Sequence, residues 1–101
     1  MVFQIRYTEP ALADLEEICS RSWEQHPENS ERFATGLLNH VDLLKEFPRL
    51  GAPVEDQPEI RRLLHFPLHI YYRISQDEKR IDVLHFWHTA RKPPRLRLVP
   101  T

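Results

Sequence analysis

The stretch that most constrains this chain is residues 60–91, which reads as three short strands joined by polar turns. The pattern predicts strands over 60–66, 68–74 and 80–88. Pro67 separates the first two, and Ser75-Gln76-Asp77-Glu78 forms a hairpin loop of common length. In the middle strand Leu68, Ile70, Tyr72 and Ile74 share one face, leaving His69, Tyr71 and Arg73 on the other. The last strand is apolar on both faces (Ile81, Val83, Leu84, Phe86, Trp87), which predicts an internal position in the sheet. An antiparallel meander of this kind has one apolar face that another layer must cover.

Residues 1–59 supply that layer. Residues 2–7 alternate, with Phe3, Ile5 and Tyr7 on one side, as a half-buried strand does. Thr8 is placed to cap a helix whose first turn holds Glu9 and Pro10. Ala11, Leu15, Ile18, Cys19 and Trp23, with Leu12, fall at helical spacing, and Asp14, Glu16, Glu17 and Arg21 take the outer face. His26-Pro27 stops this helix, because the residue before a proline is pushed out of the helical region. A second helix capped by Asn29 or Ser30 carries the stripe Phe33, Ala34, Leu37, Val41, Leu44 and Phe47. Gly36 inside it costs about 1 kcal/mol relative to alanine unless it allows close packing. The short connection predicts an antiparallel helical hairpin. Residues 48–53 end the second helix, residues 54–59 read as an acidic loop, and residues 95–99 as a final short strand or a loose tail.

At 101 residues the chain predicts a single domain over 1–101. A hydrophobic content of 41% with 29% charged residues places it among ordinary globular chains. No run approaches the roughly 18 apolar residues of a membrane span, and no signal-peptide pattern opens the chain. The lone Cys19 rules out an internal disulfide, reads as a buried structural thiol, and agrees with a reducing, cytoplasmic setting. The net charge of −1 conceals a split: residues 1–56 hold five Lys and Arg against eleven Asp and Glu, and residues 57–101 hold nine against four. Two readings follow: the second half alone meets an anionic partner, or the helices have solvated acidic faces and arginines guard the sheet edge.

Four of the six histidines lie in residues 60–91. His65, His69, His85 and His88 match no standard zinc spacing and have no cysteine beside them, so neither a metal nor a cofactor is expected. His85 shares strand parity with Ile81, Val83 and Trp87 and reads as a buried imidazole. His88 and Arg91 sit at the strand exit, where exposure favours function. Arg61 and Arg62 point to opposite faces, so at most one belongs to any single site, and the other is expected to pair with an acid such as Asp82 or Glu59. Tyr71 and Tyr72 divide likewise into one core residue and one free to stack or bind. Phosphate-binding loop, dinucleotide fingerprint and Ser-His-Asp arrangements are absent from the sequence.

The ordered set Tyr7-x-x-Pro10-Ala11-x-x-Asp14-Leu15-x-x-Ile18, Phe47-Pro-x-Leu-Gly51, Arg61-x-Leu63 or Arg62-x-Leu64, Ile70-Tyr-Tyr-Arg-Ile74 and Val83-Leu-His-x-x-His-x-x-Arg91 resembles the RelE/ParE family of type II toxins, which includes plasmid-stabilisation proteins. The resemblance covers nearly the whole chain. It implies an α+β fold: an N-terminal strand, an antiparallel helical hairpin, then a three-stranded antiparallel meander in one small sheet. It also implies a cognate antitoxin, a toxin–antitoxin hetero-oligomer and no membrane partner.

RelE-like members cleave messenger RNA on the ribosome, whereas ParE-like members poison DNA gyrase without known catalysis. For the ribonuclease, the resemblance implies cations from Arg61 or Arg62, His69, Arg73 and Arg91, with acid–base chemistry from His88 or His85. Its catalytic candidates are thus His88, Arg91 and His69. Arg61, Arg62, Arg73 and Tyr71 are candidates for target or antitoxin binding under either activity. No tyrosine follows Tyr72, so the C-terminal phenol of RelE-like members is missing, and His88-Thr-Ala-Arg91 is more similar to the ParE-like ending. The favoured expectation is ParE-like inhibition of gyrase. The alternatives are a ribosome-dependent endoribonuclease and a non-toxic antitoxin-binding relative, which leaves enzymatic status open.

Overall fold

Thr8 ties the helical layer to the sheet. Its Oγ1 donates to the Val83 carbonyl over 2.8 Å and accepts from the Ala11 N–H over 3.3 Å, so one hydroxyl caps a helix and anchors it to a strand. The computed structural model describes residues 2–92 and 94. In chain order these form β1 (Gln4–Tyr7), α1 (Glu9–Gln25), α2 (Pro27–Asp42), a 3-10 turn (Leu43–Lys45), β2 (Ala52–Val54), β3 (Gln57–His65), β4 (Leu68–Ser75) and β5 (Arg80–His88). The proposed strand or tail at 95–99 lies outside the described residues.

The strands make one sheet in the order β1-β5-β4-β3-β2, with β1 parallel to β5 and the other pairs antiparallel. The α+β architecture and the meander are as expected, and β5 is internal. Two edges extend the meander to five strands. β1 docks on β5 (Ile5 opposite Ile81), and Ala52–Val54, within the stretch read as stop and loop, pairs with β3. Pro53 lacks a ladder donor, and an edge strand is where that costs least.

A single residue, His26, joins the helices: its N–H closes α1 on the Ser22 carbonyl, and Pro27 follows as the first residue of α2. The cap expected at Asn29 or Ser30 is therefore displaced into the helix. Proline's fixed φ suits the first helical position, and the helix starts there.

Leu37, Val41 and Leu44 pack with Leu63, Leu68, Ile70, Tyr72, Ile81, Val83 and Phe86 in the main core. On α1 Ala11 is buried and Leu15 and Ile18 are partly buried against the core, while Leu12 and Trp23 are 50% and 63% exposed and Cys19 is partly buried outside that row. Residues 12, 19 and 23 occupy the next row round the helix, outside the arc that meets the sheet. Phe47 is exposed because the 3-10 turn ends the helical register before it. A Cβ on Gly36 would meet nothing within 4 Å, so no close packing explains that glycine.

Gly51 is different. A Cβ there would lie 2.8 Å from the Arg62 carbonyl oxygen and 2.9 Å from the Tyr72 ring. Its N–H donates to the Tyr72 hydroxyl over 2.9 Å, and that hydroxyl donates to the Pro48 carbonyl over 2.7 Å. The Phe47–Gly51 segment is thus fastened to β4 by one buried phenol. Burial raises the pKa of Tyr72, against lowering by the Gly51 hydrogen bond and the nearby Arg61 charge.

Candidate functional site

β1 pairs with β5 only as far as Val83, so β5 beyond that point has no strand on its outer edge. α1 closes the gap. Asp14 Oδ2 accepts the Phe86 N–H over 3.2 Å and faces His85 Nδ1 at 2.8 Å. A carboxylate only accepts, so His85 Nδ1 carries a proton and donates it to Asp14. Asp14 thus leaves the outer face of α1 on which the sequence pattern sets it. The missed signal is the spacing Ala11, Asp14, Ile18, which puts it on the buried side.

Between the helical hairpin and this end of the sheet lies a groove of about 680 Å³. Its apolar lining is Ile18, Phe33, Pro67, Leu68 and Phe86, and its charged and polar lining includes Asp14, Glu17, Arg21, His88 and Arg91. Phe66, next to Pro67, is 78% exposed. His88 Nδ1 accepts the Ala90 N–H over 3.0 Å in the turn that follows β5. The Arg91 guanidinium stacks over Trp87, 4.1 Å from the ring centroid, and Trp87 Nε1–H donates to the Lys92 carbonyl over 2.7 Å.

The opposite face of the sheet carries the arginines. Asp82 is fully buried, with Arg6 at 2.9 Å, Arg80 at 2.8 Å and Arg73 at 3.3 Å. Arg6 and Arg73 stand directly across from it on the two neighbouring strands, and Arg80 lies two residues along its own strand; Arg80 also pairs with Glu78. Burial pushes the Asp82 carboxyl up, but hydrogen bonds from Arg80 and Arg73 and the charge of Arg6 together hold it below the usual carboxylate range. The acid expected to pair with Arg61 or Arg62 is thus taken by other arginines. Register decides this, because cross-strand neighbours on one face meet first. Arg61 instead donates to the Gly51 carbonyl over 2.6 Å. Arg62 is exposed, and His69 is held below the ordinary histidine pKa by burial and by the charge of Arg62.

The structure separates several candidates. Leu68 lies opposite His88 and Trp87 opposite His69, so His69 and His88 fall on opposite faces. Arg91 lines the groove with His88, whereas Arg73 and Arg62 share the open face with His69. Tyr71 is 2% exposed and packs with Ile60, Val54, Leu84 and Trp87 in a second small cluster, so both adjacent tyrosines are buried. The division into one core and one free tyrosine does not hold, because the second cluster covers the open face there.

His85 is not a core imidazole. A bulge shifts the register so that Tyr72 faces Val83 while Tyr71 faces His85, which puts Phe86 into the main core and leaves His85 against Asp14. His65 meets yet another partner, His40 of α2, at 2.8 Å between their Nδ1 atoms. The four histidines of residues 60–91 are thereby distributed over separate settings. Among the described residues no three His, Cys, Asp or Glu side chains converge as a metal site. No described helix is long and apolar enough to cross a membrane.

Residues 5–93 match the model of the ParE toxin of the type II toxin–antitoxin system parDE. A curated relative, "Putative toxin Y4kP" of Sinorhizobium fredii, is 33% identical over 84 residues, covering 81% of this chain and 86% of the relative. Among solved structures, a chain of the chromosomal ParDE system of P. aeruginosa superposes with a TM-score of 0.71 at 22% identity, covering 86% of this chain and 96% of that one. A chain of the RelBE2 toxin–antitoxin complex of Mycobacterium tuberculosis gives 0.66 at 19% identity, covering 87% and 99%. The YoeB/ParE toxin of Agrobacterium tumefaciens gives 0.63 at 16% identity, covering 85% and 98%. At these identities the structural likenesses speak for the fold.

Proposed function

Since the chain belongs to the ParE toxin family of type II toxin–antitoxin systems, we propose that it is a toxin that inhibits growth by binding DNA gyrase, and that a cognate antitoxin neutralises it by occupying the groove beside α1. The observation that carries the binding reading is the separation of His69 from His88 by the thickness of the sheet. Ribonucleolytic cleavage needs a base, an acid and cations around one phosphate. Here three of the sheet's arginines converge on Asp82, Arg61 serves a backbone carbonyl, and Arg91 lies on Trp87. A binder needs only a shaped and charged surface, and the groove supplies an apolar lining with charges of both signs.

A ribonuclease in this fold would have to work from the groove side, where His88 and Arg91 occur together. Induced expression without antitoxin, with messenger-RNA ends and DNA supercoiling read from the same cells, separates the readings. Relaxed or broken DNA without new codon-internal ends is the expected result. Codon-internal ends with supercoiling intact would replace the binder with the nuclease. Normal growth with neither signal would leave a non-toxic antitoxin-binding relative.

A further inference from the structure

His40, in the last turn of α2, and His65, the last residue of β3, aim their Nδ1 atoms at each other across 2.8 Å, with ring centroids 5.0 Å apart and planes tilted by 54°. The Phe33 and His65 rings meet in a T-shaped contact with centroids 5.9 Å apart, so the pair stands beside the groove wall. Two nitrogens this close share one proton: one imidazole donates and the other accepts. The function proposed above uses neither histidine.

We propose that His40 and His65 form a two-imidazole site for a divalent transition-metal cation of the zinc, nickel or copper class, which joins the end of α2 to the end of β3. Neutral imidazole nitrogen is the donor such cations prefer, and it discriminates against magnesium and calcium, which take oxygen. The protons balance without loss. The donor imidazole moves its proton from Nδ1 to Nε2, both Nδ1 lone pairs then face the metal, and both rings stay neutral. Tetrahedral bonds of about 2.0–2.1 Å put two ligand nitrogens roughly 3.3–3.4 Å apart. The nitrogens therefore separate by about 0.5 Å, and each ring turns by roughly 35° so that both lone pairs converge on the metal instead of on each other. Position helps as well, because a cation at the end of α2 meets the negative pole of the helix. Water, or a side chain of a bound partner, completes the coordination.

The test is calorimetric titration of the metal-free full chain with ZnCl2 and, separately, MgCl2. It is paired with nitrogen NMR of the six histidines. One zinc equivalent is expected, with no magnesium binding and with Nδ1 resonances of His40 and His65 moving on zinc addition. His40→Asn and His65→Asn should each weaken zinc binding about 10–100-fold, the range that losing even an outer-shell partner costs, while His69→Asn should leave it unchanged. No zinc binding up to millimolar concentration overturns the proposal. So does zinc that moves the resonances of His26, His69, His85 or His88 instead. The NMR measurement uses the unaltered chain, so it decides the matter even where a variant fails to fold.

Discussion

Asp14 of α1 and His85 of β5, 71 positions apart in sequence, meet at 2.8 Å, and the same carboxylate oxygen accepts the Phe86 N–H. One helical side chain thus stands in for the strand that β1 does not extend to provide. Asp14→Ala would leave a partly buried amide unpaired, at a cost of about 1–3 kcal/mol. Chemical denaturation should report that loss, and amide exchange should show Phe86 deprotected ahead of Ile81, whose strand partner remains. Unchanged Phe86 protection would mean that the edge is closed by something other than this carboxylate.

Asp82 should be the most sensitive charged position in the sheet. Asp82→Ala removes the common partner of Arg6, Arg73 and Arg80 and leaves three partly exposed cations close together, a change of about 1–3 kcal/mol. The partly exposed Arg6→Ala should cost far less, since its pairing is screened by water. Equilibrium urea unfolding of both variants gives the comparison, and equal losses would contradict the asymmetry.

The two glycines should respond with opposite signs. Gly36→Ala should stabilise the protein by about 0.4–1 kcal/mol, because the new methyl meets open space and the unfolded chain loses freedom. Gly51→Ala should destabilise it, since the Arg62 backbone and the Tyr72 ring occupy the position of the methyl. Melting temperatures of the two variants suffice, and a stabilising Gly51→Ala would show that the Tyr72 fastening yields easily.

Stability should fall in two stages as pH drops. His65, through burial and the neighbouring His40, and His69, through burial and the Arg62 charge, both have folded-state pKa values below the ordinary 6.5. The unfolded chain therefore binds protons first, and their contribution, complete above pH 6.5, is lost as pH falls through that value toward their folded pKa values. Asp82, held below its ordinary value of 3.8 by Arg80, Arg73 and Arg6 against the opposing effect of burial, contributes above that pH and loses it as pH falls through its lower folded pKa. Denaturation midpoints from pH 8 to 3 should show both steps in the parent protein, while His65→Asn with His69→Asn should remove only the first.

His88→Asn distinguishes binding from catalysis. A gyrase-binding toxin should retain most of its growth inhibition in this variant, whereas a nuclease working through His88 and Arg91 should lose about 10²–10⁴-fold in cleavage rate with its acid–base group. Colony counts after induction, set beside messenger-RNA end mapping, read both quantities.

Much of the architecture was legible from one dimension, because local rules govern it. Period-two alternation marked the meander, 3.6-residue periodicity marked the hairpin, and Thr8 and Pro27 acted through their own φ preferences and hydrogen-bonding groups. The charge split between the two halves was equally plain. The membership of each site was not. A one-residue bulge opposite Tyr71 and Tyr72 reversed the faces of Phe86 and Trp87 and took His85 out of the predicted core, and strand register alone gave Asp82 to Arg6, Arg73 and Arg80. Alternation says which residues share a face but not which strands become neighbours or where an extra residue enters the ladder. Local periodicity was enough to specify two layers, their order and their polarity. Which side chains meet across them depends on packing between elements and on no spacing within one, as Asp14 with His85 and His40 with His65 show.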